Sequence, residues 1–456
     1  MVTRLKSLLA SGLMAFGGVL TAYAQSFEAP GQSQYSGPSV LSRSQGTTFG
    51  GPVSRASFRP FLSLQGTYGQ NLQGVSVDST GNLIQANQLG AIVSAGVYGS
   101  KGWRKQQFGG GYVGGYTHYP SNQYFNGTDQ FLHLNYTLQV SKRYMLTLRQ
   151  VGGISNRPNA QSTLFQLDPT YYYIPQSEIF DNRTFFATSL ADLTIRLSPR
   201  VSANLGGDFF TNRRRSSSLF ASTGTRARGD MAYRLSRNST IAAYYNFNNW
   251  NFTGLFGGTD IHSIGIAYSL RLGRNWEVLT QVAGSRLESQ SLTRVPVDPA
   301  IQAIVGSGFV TEAFYGVTYM PQVNGSISRR ISRGHLNIRG SHGVSPGNGV
   351  ILTSRITQGG VGYSYQPNSR MSFNVSTSYD KMAALVQNYG SYAGWTAVSG
   401  ISYSLDRFVR SLYVNGTYTW TRRNLNNNDF VGYRRNWSTA AFGLSWSPGD
   451  YPLAFW

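Results

Sequence analysis

The chain has 456 residues, only 12% of them charged, and its net charge of +21 comes from 34 arginines and 5 lysines against 18 acids. It contains no cysteine, which excludes a disulfide framework and any thiolate metal site. The arginines are spread along the chain at regular intervals rather than clustered, so we expect no nucleic-acid partner.

The first 24 residues have the pattern of a secretory signal peptide. Arg4 and Lys6 precede a short apolar run from Leu8 to Leu20, and Ala22-Tyr23-Ala24 fits a small-x-small cleavage site. Residues 25–56 are rich in Ser, Gly, Gln and Pro, which predicts a flexible periplasmic arm. No later segment has about 18 uncharged apolar residues in a row, so we predict no transmembrane helix.

From residue 57 to residue 456 the apolar side chains recur with a period of two. A clear case is QFLHLNYTLQVSKRYMLTLRQ at 130–150, where Leu132, Leu134 and Tyr136 alternate with polar residues up to a Ser-Lys-Arg turn. A period of two predicts a β-strand, because successive side chains point to opposite faces. The stretch therefore predicts a hairpin with one apolar face and one polar face.

The connections between these runs alternate between short and long. The short turns carry arginine, as in Ser141-Lys142-Arg143 and Ser198-Pro199-Arg200, whereas the other connections are longer and polar. Many of the runs have ten or more residues, close to the 9–11 that a membrane-spanning strand needs. We predict an all-β transmembrane antiparallel up-and-down β-barrel of about 18 strands, with 16 as the alternative count.

Several features indicate that lipid contacts the apolar face. An open sheet edge would leave unpaired backbone groups in hydrocarbon, so the sheet must close. Aromatic residues near strand ends fit interfacial girdles, and arginines in the short turns would lie near phospholipid head groups. The terminal sequence LAFW resembles the terminal aromatic that the barrel-assembly machinery recognises in outer-membrane barrels. We therefore expect an outer-membrane location, with contacts to outer-membrane lipids and lipopolysaccharide.

The segment from Pro60 to Gln150 resembles the β-barrel porins that accompany exopolysaccharide-secretion loci in Gram-negative bacteria. The resemblance lies in PFLSLQGTYGQN, QLGAIVSAGVYGSKGW and GGGYVGGYTHYPSNQYFNGTDQFLHLNYTL. Members often carry an acidic-Asn pair after the first Tyr, whereas this chain has Gln70-Asn71. The resemblance implies an outer-membrane β-barrel and leaves the cargo open.

A barrel of about 18 strands is wide enough for an aqueous lumen, and strand phase assigns side chains to it. Basic rings in a pore select for anions, whereas arginines paired with acids on the same phase, such as Asp192, Asp208 and Glu277, would only brace the wall. The predicted pore-lining residues are Arg149, Arg196, Arg226, Arg228, Arg234, Asp230, Arg271 and Arg339.

The longest loop, 152–183, is the third long loop, and it carries Asp168, Glu178 and Asp181. In general porins a long third loop folds into the lumen, so these acids are constriction candidates facing Arg226 and Arg228. The alternative is an ordinary surface loop. Tyr112 and Tyr116 offer stacking surfaces for a sugar if they face the lumen, and otherwise pack over strand glycines.

Enzyme function is not expected. His262 and Ser263 are adjacent in a strand and point to opposite sides, and only His118 and His133 could pair to hold a metal, without nearby carboxylates. We predict no cofactor and no metal. The favoured function is a passive pore for small polar solutes with some preference for anions. The alternatives are an exopolysaccharide export conduit and a non-conducting structural or surface-binding barrel, and assembly into homotrimers is left open.

Overall fold

The computed structural model describes residues 56–71, 87–120, 126–155, 183–216, 219–253, 257–296, 309–347, 352–368, 370–385, 391–426, 433–447 and 451–453. In these ranges the regular structure is β-strand. No helix among the described residues is long and apolar enough to cross a membrane.

Eighteen long strands and one short strand follow one another along the chain. They are β1 (Ala56–Gln70), β2 (Gln88–Gly102), β3 (Gln106–His118), β4 (Gly127–Gln139), β5 (Tyr144–Ser155), β6 (Thr184–Arg196), β7 (Val201–Arg214), β8 (Ala221–Arg234), β9 (Ser239–Thr253), β10 (Gly258–Leu272), β11 (Trp276–Pro296), β12 (Phe309–Ile331), β13 (Gly334–Ser345), β14 (Ser354–Asn368), β15 (Met371–Ala384), β16 (Ser391–Ser404), β17 (Leu412–Asn426), β18 (Tyr433–Trp446) and β19 (Tyr451–Leu453).

Each long strand pairs antiparallel with its neighbours in sequence, and β1 pairs with both β2 and β18. The last pairing closes the sheet, and the short β19 continues it along Ala56–Phe58 of β1. The predicted all-β up-and-down barrel is therefore confirmed, with 18 long strands. Closure leaves the wall without a free edge, which a lipid environment requires.

The two faces of the wall have the reverse of the polarity found in a soluble protein. On β1 the outward Leu62 and Leu64 are 52% and 60% exposed, whereas the inward Ser63, Gln65 and Thr67 are at most 6% exposed. The same alternation recurs around the barrel, so apolar side chains cover the outside, whereas polar side chains predominate on the inside, with buried apolar residues such as Val151 and Phe210 among them. A closed antiparallel barrel with an apolar outside is the architecture of outer-membrane proteins, and the predicted location is confirmed.

The apolar band has the height of a membrane. On β11, Trp276, Val278 and Val282 face outward, and the first outward charge after them is Arg286. From Trp276 to Arg286 the strand climbs about 25 Å along the barrel axis, at about 3.3 Å per residue and a tilt of about 40°. Transmembrane barrels have an apolar band of about 25 Å. At its lower border, the Arg329 guanidinium lies 4.7 Å from the Trp276 ring centre.

An outward polar network marks the upper border of the band on β9–β12. Arg286 forms an ion pair with Glu288, and the Tyr315 hydroxyl donates to Glu288 Oε2 at 2.5 Å. The Asn249 amide donates to Asp260 Oδ1 at 2.6 Å. Because these groups satisfy one another, they fit an interface between hydrocarbon and water.

The short turns share one hydrogen-bond pattern. The Ser141 hydroxyl accepts hydrogen bonds from the backbone N–H groups of Arg143 and Tyr144, and Ser198 does the same for Arg200 and Val201. A hydroxyl that accepts from the next residues closes a tight turn without a glycine. This explains the recurring Ser-x-Arg pattern and leaves the arginine side chains free to face the periplasm.

Candidate pore lining

Strand register places every predicted pore-lining residue on the lumen face of the wall. Cross-strand partners share a face, and these residues pair with buried or inward residues of the neighbouring strands. The sequence did not show which of these arginines have an acidic partner, and the structure does. Two of them are neutralised by acids in the wall, and others are not.

Arg228 on β8 forms a bidentate ion pair with Asp192 on β6. Its Nε lies 3.1 Å from Asp192 Oδ1, and its second terminal nitrogen lies 2.5 Å from Oδ1 and 2.7 Å from Oδ2. The two strands are not adjacent, because β7 lies between them. The pair forms directly above Gly206 of β7, which is in register with both residues. Gly206 therefore creates the space in which the two side chains meet.

Arg226 forms a second ion pair in the wall. Its Nε donates to Asp208 Oδ1 on the adjacent strand β7 at 2.6 Å, and the Asp208 side chain is fully buried. With the Arg228–Asp192 pair, this gives two cations and two anions on three consecutive strands. The pairs brace the wall, and they leave Arg226 and Arg228 with little uncompensated charge facing the lumen.

The remaining mid-wall candidates have different surroundings. The Asp230 carboxylate is hydrogen-bonded by the Asn204 side chain of β7. Arg149 on β5 is in register with the buried Leu190. Arg339 on β13 is exposed and is in register with Ser326 and Gly360. Among the described residues Arg339 has no acidic partner, so it presents its charge to the lumen.

Arg196, Arg234 and Arg271 lie at the periplasmic ends of their strands. Arg234 donates to the backbone carbonyls of Ser236 and Arg237 at 3.1 and 3.3 Å, which holds its guanidinium at the mouth of the lumen. Arg271 is in register with Glu277 across the following turn.

An apolar cluster lies inside the lumen near the long-loop end, which the sequence analysis missed. Phe210 and Trp250 are 1% and 2% exposed, and both side chains cover Gly224 between them. The other members of the cluster are Ile261, Leu287 and Met320, with Val344 and Leu385 packed against it. The sequence NNW at 248–250 could have indicated a lumen-facing tryptophan, because Trp250 has the same strand phase as the polar Asn248.

This end of the lumen is narrowed by a segment that leans inward. The Thr353 hydroxyl, just before β14, lies 2.6 Å from the Thr259 hydroxyl on the lumen face of β10. Four strand intervals separate β10 from β14, or about 19 Å along the wall. A direct hydrogen bond over that separation requires Thr353 to lie over part of the lumen.

The other sequence-based candidates fall in two groups. The constriction candidates Asp168, Glu178 and Asp181 lie outside the described residues. Tyr112 and Tyr116 are 41% and 45% exposed on the outer face, which excludes the alternative that they stack on a sugar in the lumen. The Tyr112 ring lies over Gly114, as expected if the aromatic residues pack over strand glycines.

The two histidines considered for metal binding do not converge. His118 shares the outer face of Tyr116, on which it stacks, whereas His133 is in register with the buried Val151 on the lumen face. Within the described ranges, no group of three metal-ligating side chains occurs.

No protein-family model matches the chain, and no curated protein matches it. Among solved structures it is similar to Pseudomonas aeruginosa OccK2 (OpdF) in complex with glucuronate, at 12% identity over 86% of this chain and 98% of that chain, with a TM-score of 0.43. Acinetobacter baumannii OccAB4 has 9% identity over 88% and 99% of the two chains and a TM-score of 0.41. A BenF-like porin from Pseudomonas fluorescens Pf-5 has 11% identity over 86% and 98%, with a TM-score of 0.40. Identities this low carry no information about ligands.

Proposed function

We propose that this protein is an outer-membrane pore for the passive diffusion of small polar solutes, with a preference for anions. The observation that carries the proposal is the closed 18-strand wall whose inner face carries more polar and charged side chains than apolar ones. Eight strands enclose a space that side chains fill, whereas 16 to 18 strands leave an aqueous channel.

The preference for anions follows from the lumen charges. Among the residues whose side chains are described, ten arginines and six acids face the lumen by register. The arginines are Arg149, Arg196, Arg214, Arg226, Arg228, Arg234, Arg271, Arg330, Arg339 and Arg423, and the acids are Asp129, Asp192, Asp208, Asp230, Glu277 and Asp380. Basic residues in excess along a pore attract anions and repel cations.

Several of these arginines form ion pairs with acids in the wall, so fewer of them can attract anionic solutes. Besides the pairs at Arg226 and Arg228, Arg423 lies 3.3 Å from Asp380. The excess of positive charge therefore comes from residues outside these pairs. Arg339 is the mid-wall example, because small side chains surround it and leave it open to the lumen.

Liposome swelling tests the proposal. Liposomes containing the refolded protein should swell in solutions of small sugars, and faster in a small organic anion than in an organic cation of the same size. Arg339→Gln should reduce the ratio of anion to cation rates. The matched control is Arg407→Gln, which removes the same charge from an exposed turn and should leave the ratio unchanged. Absence of swelling with every small solute would contradict the pore.

A further inference from the structure

One backbone hydrogen bond recurs at the periplasmic end of the wall. At the end of seven even-numbered strands, and again just after β18, an amide N–H donates at 2.7–2.9 Å to a carbonyl oxygen of the preceding short turn. Each donor therefore occupies an equivalent position in its hairpin, at the same height in the wall. The donors, in chain order, are Gln139, Arg196, Arg234, Arg271, Arg330, Gln366, Ser404 and Ser447.

Four consecutive donors are arginines, and the other donors are Gln or Ser. We call these four arginines, which lie within the last two residues of β6, β8, β10 and β12, the mouth arc: Arg196, Arg234, Arg271 and Arg330. All four are on the lumen face, since Arg196 and Arg234 are in register with the buried Ser202 and Thr240. The equivalent positions elsewhere are uncharged, so the positive charge is concentrated on one side of the mouth.

The spacing of the mouth arc lets its members act together. Neighbouring strands lie about 4.8 Å apart, so successive arginines on every second strand are about 10 Å apart. The Debye length is about 10 Å at 0.1 M salt, so the fields of adjacent members overlap. A single small anion meets one or two guanidinium groups, whereas a longer ligand with several anionic groups can contact more.

Few acids oppose the mouth arc. Glu277 is in register with Arg271, whereas Asp192 and Asp208 are farther up the wall and are held by Arg228 and Arg226. In the described part of the wall, Arg196, Arg234 and Arg330 have no ion-pair partner. The guanidinium group pairs with carboxylate or phosphate through two parallel hydrogen bonds, which makes it the side chain suited to such ligands.

We infer that the mouth arc is a binding site for multivalent anions that carry carboxylate or phosphate groups and approach from the periplasm. The inference rests on the proposed pore function. It places the recognition of multivalent anions at the periplasmic mouth, apart from Arg339 of the mid-wall, which has no acidic partner in the part of the chain that the structure describes. It also makes the pore asymmetric, because the extracellular end of the lumen carries the apolar cluster instead of a basic arc.

Sided block of single channels tests the inference, with tripolyphosphate and citrate as probes. The chain has no cysteine, so a Lys142→Cys variant in an exposed short turn, treated with an impermeant thiol reagent, reports the orientation of each channel. Either probe, added on the short-turn side, should reduce the chloride current. The same addition on the long-loop side should have a much weaker effect.

The variant with Arg196, Arg234, Arg271 and Arg330 all changed to Gln should raise the half-blocking concentration of tripolyphosphate by roughly tenfold or more, because it removes several charge-assisted contacts to one ligand. Gln is the residue that the wall already has at two equivalent positions, so the backbone contacts persist. The matched control changes Arg200, Arg237, Arg274 and Arg333 to Gln, which removes four charges from exposed positions in the same hairpin turns and should leave the block unchanged.

Channels that conduct but show no sided block, or a control variant that weakens the block as much as the mouth-arc variant, would overturn the inference while leaving the pore intact. Absence of any conductance in the unmodified protein would instead refute the proposed function.

Discussion

Gly206→Ala should break the Arg228–Asp192 ion pair without introducing any new charge. A Cβ atom on Gly206 would overlap Asp192 Oδ1 and approach Arg228 Nε to 2.7 Å. Both side chains would have to move apart, and the three hydrogen bonds between them would be lost. Gly207 is the matched control, because it faces outward and its Cβ would meet only the Arg226 carbonyl oxygen, at 3.4 Å.

The expected difference in the free energy of unfolding can be worked out from the pair. Hydrogen bonds between charged groups contribute about 1.5–3 kcal/mol. The pair keeps most of that value because its two side chains are only 19% and 17% exposed. Replacing Gly by Ala also restricts the unfolded chain, which stabilises by about 0.4–1 kcal/mol. That gain applies to both glycines, so Gly206→Ala should be less stable than Gly207→Ala by about 1.5–3 kcal/mol.

Urea unfolding of the barrel refolded in phospholipid bilayers, followed by tryptophan fluorescence, measures this difference. In a background with Asp192→Ala and Arg228→Ala, the two glycine variants should become equally stable, because no pair remains to be broken. Equal stability of the two variants in the unmodified background would refute the assignment of Gly206 as the space for the pair.

Three further predictions concern the lumen, the lipid face and one turn. Trp250→Ala should open the extracellular end of the lumen and raise single-channel conductance. It should also destabilise the barrel by about 3–5 kcal/mol through loss of packing. Unchanged conductance would show that the apolar cluster does not narrow the pore. Ile266 lies at an outward position and is 57% exposed. Ile266→Arg should lower the free energy of unfolding, measured with urea, by about 2–4 kcal/mol, whereas Ser376→Arg on the lumen face should lower it far less. Equal losses would contradict the assignment of the two faces. The pKa of Asp406 is held below its ordinary value, first by the Ser404 hydroxyl and then by the Ser411 N–H, 2.6 Å from Oδ1. A lowered pKa stabilises the folded state above the unfolded pKa, and this contribution disappears as the pH falls through the folded pKa. Asp406→Asn should therefore speed exchange of the Ser411 amide proton at neutral pH and have no effect in strong acid, and an equal effect at both pH values would contradict the role of the charge.

Much of the fold could be predicted from the sequence. The period of two shows where the strands lie and which side chains share a face of the sheet. Runs such as Leu132-Leu134-Tyr136 show which side chains meet lipid, and the arginine turns separate the strands. The same phase places Arg226 and Arg228 in the lumen. These conclusions need only local pattern, since side chains alternate strictly along a strand.

Other features could not be predicted, because they depend on register between strands. The contact of Arg228 with Asp192 requires that Gly206 lie between them, which only the pairing of three strands decides. Likewise, Arg330 was not a pore-lining candidate, and its equivalence to Arg196 appears only in the repeated backbone hydrogen bond. In GGGYVGGY both phases contain glycine, so the pattern could not show that Tyr112 faces outward.

Single-channel recording of the refolded protein in a planar bilayer under a KCl gradient tests whether the barrel is an open, anion-preferring pore. We expect a steady open conductance whose reversal potential is displaced toward that of chloride, because arginines outside the ion pairs outnumber acids along the lumen. A reversal potential displaced toward that of potassium would contradict the anion preference. A bilayer that contains folded protein and conducts no current would contradict the pore itself.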